Sequence, residues 1–280
     1  MSLLDRARAL GIALVMLTAV FWPLERLFAA RRQAWLRPRW ATDLAFMAGQ
    51  YLVWATLALW LLVQVDGLLS KVVPAALRTL VAAWPWGAQV LAAVMLADVS
   101  VYWFHVASHR VPWLWRFHSI HHSSRHLDWV AAHREHPVDG FLTQLAINLP
   151  AMVLGVDLAT LAWLVAFRGL WAIFIHSNVR LPLGPLRALF GAPELHHWHH
   201  LETAVTQHNF ANLAPWTDLL FGTYHVPPGD ESWPLGNPGE PPRGYFAHLV
   251  SPFRRTARPP VQSAVSPSPA TRASVVDPHA

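Results

Sequence analysis

Apolar residues run in long blocks along this chain. One covers about Leu10–Ala30, a second about Leu44–Val65 and a third about Ala88–Ser108. A fourth, about Phe141–Ile175, is too long for one membrane crossing and suits two, broken near Gly155-Val156-Asp157. A helix crosses the hydrocarbon core with about 20 mostly apolar residues. The pattern therefore predicts an all-α integral membrane fold, a four- to five-span transmembrane helical bundle whose last two spans form a tight hairpin. The first block lacks a small-residue cleavage site followed by a polar mature domain, so it reads as a retained anchor.

Basic residues orient these spans. Arg26, Arg31, Arg32, Arg37 and Arg39 lie between spans one and two, and Arg110, Arg116, Arg125 and Arg134 follow span three. Between spans two and three stand only Lys71 and Arg78. The positive-inside rule places both Arg-rich segments in the cytoplasm. With five spans, the region from Arg180 onward joins them there and the N-terminus lies outside. Arg6 and Arg8 oppose this orientation.

Composition sharpens the picture. Of 280 residues, 54% are hydrophobic and only 13% charged, against roughly 25% charged in an ordinary soluble domain. Cysteine is absent, which excludes disulfides, thiolate-bound zinc, iron–sulfur clusters and Cys nucleophiles. The net charge of +5 suits anionic lipid rather than nucleic acid. The 16 Trp fit a bilayer interface, as at Trp84-Pro85-Trp86, but 17 His need another explanation.

The histidines fall into spaced groups beyond the ends of predicted spans. At the end of span three, Asp98, Tyr102, His105 and His109 lie within about 60° of one another on a helix. His at i and i+4 can hold one metal ion. Asp98, inside an apolar run, needs a partner and is expected to orient a ligand or Tyr102. His118-Ser-Ile-His121-His122 is an HxxHH box, and His196, His199 and His200 repeat its spacing. One HxxxH and two HxxHH boxes supply eight imidazoles, more than one ion needs, which points to two metals. Imidazole suits Zn, Cu, Fe and Ni, and no HExxH motif is present.

These stretches resemble the fatty acid hydroxylase / sterol desaturase superfamily. The resemblance runs from about Asp98 to Tyr224. It rests on Asp98-x3-Tyr102-x2-His105-x3-His109, Leu114-Trp-Arg-Phe-His118-Ser-Ile-His121-His122, Arg134-Glu-His136-Pro137, His176-Ser-Asn178, Pro193-Glu-Leu-His196-His-Trp-His199-His200 and Asn209-Phe210 through Thr223. It implies a non-haem di-iron centre using O2, hydroxylation or desaturation of a lipid, and a transmembrane core capped by a cytosolic, helical, histidine-rich metal domain. It carries ligand roles to His105, His109, His118, His121, His122, His196, His199 and His200. It adds His176, the family's isolated histidine, and His136 at the His-Pro position. His126, His133, His197 and His208 are left to supporting or surface roles, and the Asp218–Thr223 stretch to a structural turn. Residues 1–97 then read as N-terminal transmembrane helices and 98–225 as the catalytic domain, with a hairpin at about 141–175. Residues 226–280 read as a Pro-rich extension, disordered from about 259.

The sequence contains no dinucleotide fingerprint, so the resemblance implies a separate electron donor of ferredoxin or cytochrome b5 type. Zinc, which binds imidazole more tightly than Fe(II), is expected to compete during purification. A bacterial inner-membrane location is expected, with the metal site on the cytoplasmic side. The alternatives are a metal-transporting or metal-buffering membrane protein and an inactive family member. A transporter places ionisable ligands near the bilayer midplane, whereas these histidines gather at helix ends.

Overall fold

A computed structural model describes residues 2–156, 158–202, 207–226 and 229–254. The proposed tail from 259 and Asp157 of the hairpin break lie outside the described residues. Helix α1 (Leu3–Leu27) opens on a capping box in which Ser2 Oγ accepts from the Asp5 N–H and Asp5 accepts from the Ser2 N–H. Helix α2 (Trp40–Gly49) continues through a widened turn (Gln50–Trp54) into α3 (Ala55–Val72), 33 residues in all. The short α4 (Ala75–Ala82) leads to α5 (Trp86–Arg110), and α6 (Pro112–His121) follows at once. Helices α7 (Pro137–Leu154) and α8 (Leu158–His176) form the hairpin. Short helices α9 (Arg187–Phe190), α10 (Pro193–His199), α11 (Trp216–Phe221) and α12 (Tyr245–Val250) follow among the described residues.

Four of these helices are long and apolar enough to cross a membrane: α1, α2–α3, α5 and α7. The apolar stretch Thr160–His176 of α8 is shorter. Their apolar side chains face outward, with Val15 69%, Leu59 61% and Trp163 79% exposed. Water does not tolerate so broad an apolar belt, and lipid does. The protein is a membrane protein on this ground. The spans start earlier than hydropathy blocks alone suggest. Arg6 is carried inside α1, where its guanidinium donates to the Leu52 carbonyl (2.7 Å) in the widened turn of the neighbouring helix. That bond accounts for a charge which the orientation rule treats as an anomaly.

The α7–α8 hairpin breaks where its glycine stands. Gly155 takes φ +76°, the Gly155 N–H bonds Met152 O and the Val156 N–H bonds Ala151 O, a Schellman stop. A Cβ at Gly155 would fall 2.9 Å from Arg78 Cγ. Helix α5 runs unbroken across residue 97, and Leu17, Phe21 and Met47 share a core with Trp129 and Ile173. The N-terminal helices and the later part of the chain therefore pack as one body.

One end of the bundle collects the polar chemistry. The Ala30 N–H bonds Asn178 O (3.1 Å) and the Arg180 N–H bonds Phe28 O (2.7 Å), tying the ends of α1 and α8 together. Arg37 bridges Asp43 (2.6 Å) and Asp128 (2.7 Å), and Arg134 also pairs with Asp43, all buried. The end of α1, the end of α8 and the segments carrying Arg37, Asp128 and Arg134 thus meet at one end of the bundle.

Candidate metal centre

Four helices deliver histidines to this end. Pro112 and Pro193 stand at the N-termini of α6 and α10, where a missing N–H is harmless, and the boxes occupy the last turns. Helix α5 brings His105 and His109, and α8 ends on His176.

Nine histidines assemble into two groups. His105, His109, His118, His122 and His199 form one, and His121, His176, His196 and His200 form the other. Within each group the candidate ligand nitrogens all lie within 4.8 Å of one another. In the second, Nε2 of His176 stands 3.0 Å from His121 Nε2 and 2.9 Å from His196 Nε2, and His196 and His200 are 3.1 Å apart. In the first, His118 and His122 Nε2 are 3.2 Å apart.

The outer nitrogens are held by acceptors. His105 donates Nδ1–H to Phe210 O (2.8 Å), His199 to His208 O (2.9 Å) and His118 to the Asp139 carboxylate (2.9 Å). His121 donates to Arg134 O (3.2 Å) and His176 to Ala172 O (2.6 Å). Each such bond fixes the tautomer and turns a bare Nε2 inward. Buried Nε2 atoms of His105, His109 and His199 have no hydrogen-bond partner. Burial, and then neighbouring imidazoles, holds His121, His122, His196 and His200 well below the usual imidazole range, and burial brings His199 down to about 3. These rings are neutral at pH 7 and offer lone pairs.

The donor set fits a pair of metal ions. Imidazole nitrogens bind such ions at about 2.0–2.1 Å, so two on one ion stand roughly 3.0–3.4 Å apart. The inward-facing spacings of 2.9–3.2 Å lie within or just below that range, and lone pairs crowded this closely repel without a shared cation.

Three expectations need correction. His136 lies outside both groups: its Nδ1 accepts the Val138 N–H at the start of α7 and its Nε2 donates to Leu249 O, so both nitrogens are engaged. Asp98 touches neither a ligand nor Tyr102. It pairs with the buried Arg168 (2.6 Å) and accepts from Trp216 Nε1 (2.9 Å), which resolves its burial in the membrane helix. The Tyr102 hydroxyl bonds Thr223 Oγ1 (2.9 Å), not a histidine.

The remaining histidines divide. His197 is tied to Glu231 (2.7 Å) and Ser177 O (3.0 Å), and His208 contributes its carbonyl rather than its ring. His126 is half-buried with its carbonyl accepting from Ser124. His133 faces a cavity beside the centre and is held down to about 4 by burial. Glu135 beside it is pushed up to about 8 by burial and the nearby Asp139 carboxylate. The Asp218–Thr223 turn positions a candidate ligand, because Asp218 accepts from the Phe210 and Ala211 N–H groups and so sets the carbonyl that holds His105. Sequence reasoning missed Asp139. Its signal was position, as the third residue of a helix that opens on His136-Pro137.

Comparison with known proteins bears on this geometry. The fatty acid hydroxylase family model matches residues 90–223. The ornithine lipid hydroxylase of Rhizobium tropici is 34% identical over 62% of this chain and 53% of its own length. Human alkylglycerol monooxygenase is 29% identical over 60% of this chain and 37% of its own. A putative Delta(7)-sterol-C5(6)-desaturase of Arabidopsis thaliana is 25% identical over 48% of this chain and 47% of its own. The chain thus spans about half or less of the length of these relatives. No solved structure matches it.

Proposed function

Since this chain belongs to the fatty acid hydroxylase / sterol desaturase superfamily, we propose that it is an O2-dependent di-iron oxidoreductase that hydroxylates or desaturates a C–H bond of a membrane lipid. The observation that carries this reading is the pair of close-packed histidine groups at the end of an apolar helical bundle. His105, His109, His118, His122 and His199 would hold one iron, and His121, His176, His196 and His200 the other. When bound, the iron pair supplies O2 activation and attack on an unactivated C–H bond.

The chain's own residues supply the rest. Carbonyls of Phe210, His208, Arg134 and Ala172 and the Asp139 carboxylate keep the imidazoles aimed inward. A cavity of about 520 Å³, walled by Val101, Phe104, Ile147 and Ile173, adjoins His105, His118, His121, His176 and His196 and gives a lipid an apolar seat there. Hydroxylation consumes two electrons and two protons and releases one water, whereas desaturation releases two waters, so both need an external reductant. Exposed Arg26, Arg32, Arg110 and Arg243 lie at the histidine-bearing end and suit an acidic ferredoxin or cytochrome b5-type donor. The same arginines favour a cytoplasmic orientation of that end, in an inner membrane if the source is bacterial.

The test is metal content of detergent-purified protein from iron-supplemented cells, followed by turnover under ¹⁸O2 with a reductant and a lipid extract. About two irons per chain and a lipid product carrying ¹⁸O or lacking two hydrogens are expected. Folded protein with no metal, or iron-loaded protein that leaves every lipid unchanged, overturns the reading.

A further inference from the structure

The cavity beside the histidines does not end there. A second cavity, of about 460 Å³, lies between α3, α7 and α8 and is walled by apolar side chains such as Leu59, Leu62, Phe141, Met152 and Leu161. Gln50, Ala55, His133, Glu135, Gln144 and Ala166 line both, so the two meet at these residues. The junction is a polar neck between an apolar chamber in the bundle and the metal centre.

The neck has a definite polarity. His133 donates Nδ1–H to Gln50 Oε1 (2.9 Å), which leaves Nε2 as a lone-pair acceptor, buried and without a partner. Glu135 has no hydrogen bond or ion pair among the described residues, although it lines both cavities. Room for its carboxyl comes from Gly140, where a Cβ would fall 2.5 Å from Glu135 Oε2. Among the described residues, no lysine lines either cavity, and the one arginine, Arg168, lines only the histidine-side cavity, where its Nη2 pairs with Asp98 and its Nη1 has no partner. Two acceptors, one of them acidic, therefore line a neck at which no cation stands among the residues shared by both cavities. A buried polar group without a partner is costly, and a group that supplies N–H donors and positive charge satisfies both.

We propose that this neck seats the amine of an amino-bearing lipid, its ammonium held by Glu135 and His133 and its hydrocarbon chain in the chamber walled by Leu62 and Phe141. The carbons on the far side of the amine then extend toward His118 and His121, so oxidation falls within a few bonds of the amine and not in mid-chain. The assignment of the oxidised end rests on the oxidase reading above, whereas the binding preference stands without it.

The experiment uses full-length protein in nanodiscs without reductant. Sixteen-carbon chains carrying a tail diazirine and a primary amine, a hydroxyl or a carboxylate are photolysed, and labelled residues are mapped. A charge-assisted bond to a buried carboxylate predicts half-saturation by the amine probe at roughly tenfold lower concentration than by the carboxylate probe. The labels should fall on α3, α7 and α8. Glu135→Gln should erase most of that preference. Gly140→Ala, which displaces the Glu135 carboxyl without removing it, should reduce it. Equal labelling by the carboxylate probe, an unchanged preference in Glu135→Gln, or labels mapped away from these helices would overturn the proposal. Metal is measured in the same samples. Loss of metal in folded Glu135→Gln would place Glu135 in the metal site and also overturn it. Wild-type protein without metal that keeps the amine preference would sink the oxidase reading and support this one.

Discussion

The two histidine groups look alike by ligand type but differ in what stands behind them. In the first, His118 leans on a carboxylate, Asp139, while His105 and His199 lean on backbone carbonyls. In the second, His121 and His176 have carbonyl partners, and the buried Nδ1 atoms of His196 and His200 have none. A carboxylate behind an imidazole makes its other nitrogen a stronger donor and fixes the ring. Supporting groups, not ligand count alone, therefore set apart two sites built from the same side chain. The first group is expected to hold its metal more tightly, and a chelator is expected to remove metal in two phases, the second group emptying first.

The largest effect should come from breaking a group outright. His199→Ala removes a candidate ligand of the first group and His121→Ala one of the second. Each is expected to abolish turnover and to cut metal content by at least one ion per chain, measured by elemental analysis on protein that still inserts into membranes. Normal turnover in either variant would remove these residues from the ligand set.

A smaller effect should come from removing only the support. Asp139→Asn should weaken the first site by roughly 10–100-fold and merge the two chelation phases. If the phases stay separate, the carboxylate is not what distinguishes the groups.

Acid tests what the groups share. Burial keeps the folded-state values of His121, His196 and His200 far below 6.5, with His199 near about 3 and His133 near about 4. The unfolded chain therefore takes up protons below pH 6.5 that the folded apoprotein resists, and stability is lost as pH falls from 6.5 toward 4. Thermal melting of apoprotein in detergent should drop by at least about 5 °C from pH 7 to pH 5, and metal-loaded protein should release its ions over the same range. A flat profile would mean that the imidazoles are not buried as described.

The smallest effect on metal should come from Asp98→Asn. It strips a buried partner from Arg168, a loss of about 3–5 kcal/mol of stability, yet Asp98 touches no histidine. Metal content should stay at the wild-type level while the melting temperature falls. Loss of metal without loss of stability would restore the supporting role that helix periodicity assigns to Asp98.

The sequence by itself determined the membrane-spanning helices, the hairpin break at Gly155 and the histidine boxes. These are local features: apolar length sets a span, a left-handed glycine ends a helix, and i, i+4 spacing aligns two imidazoles. Sequence could not say how the boxes are shared. His118 faces both His121 and His122 on one helix, but the fold sends His118 and His122 to one group and His121 to the other. Likewise His196 and His200 stay together while His199 crosses over. That division depends on which neighbouring helix each side chain meets, α5 on one side and α8 on the other. Only the tertiary structure decided it, and with it the partners of Asp98, the double engagement of His136 and the place of Asp139. Spacing along a helix fixes direction, whereas the partner at the end of that direction comes from another part of the chain.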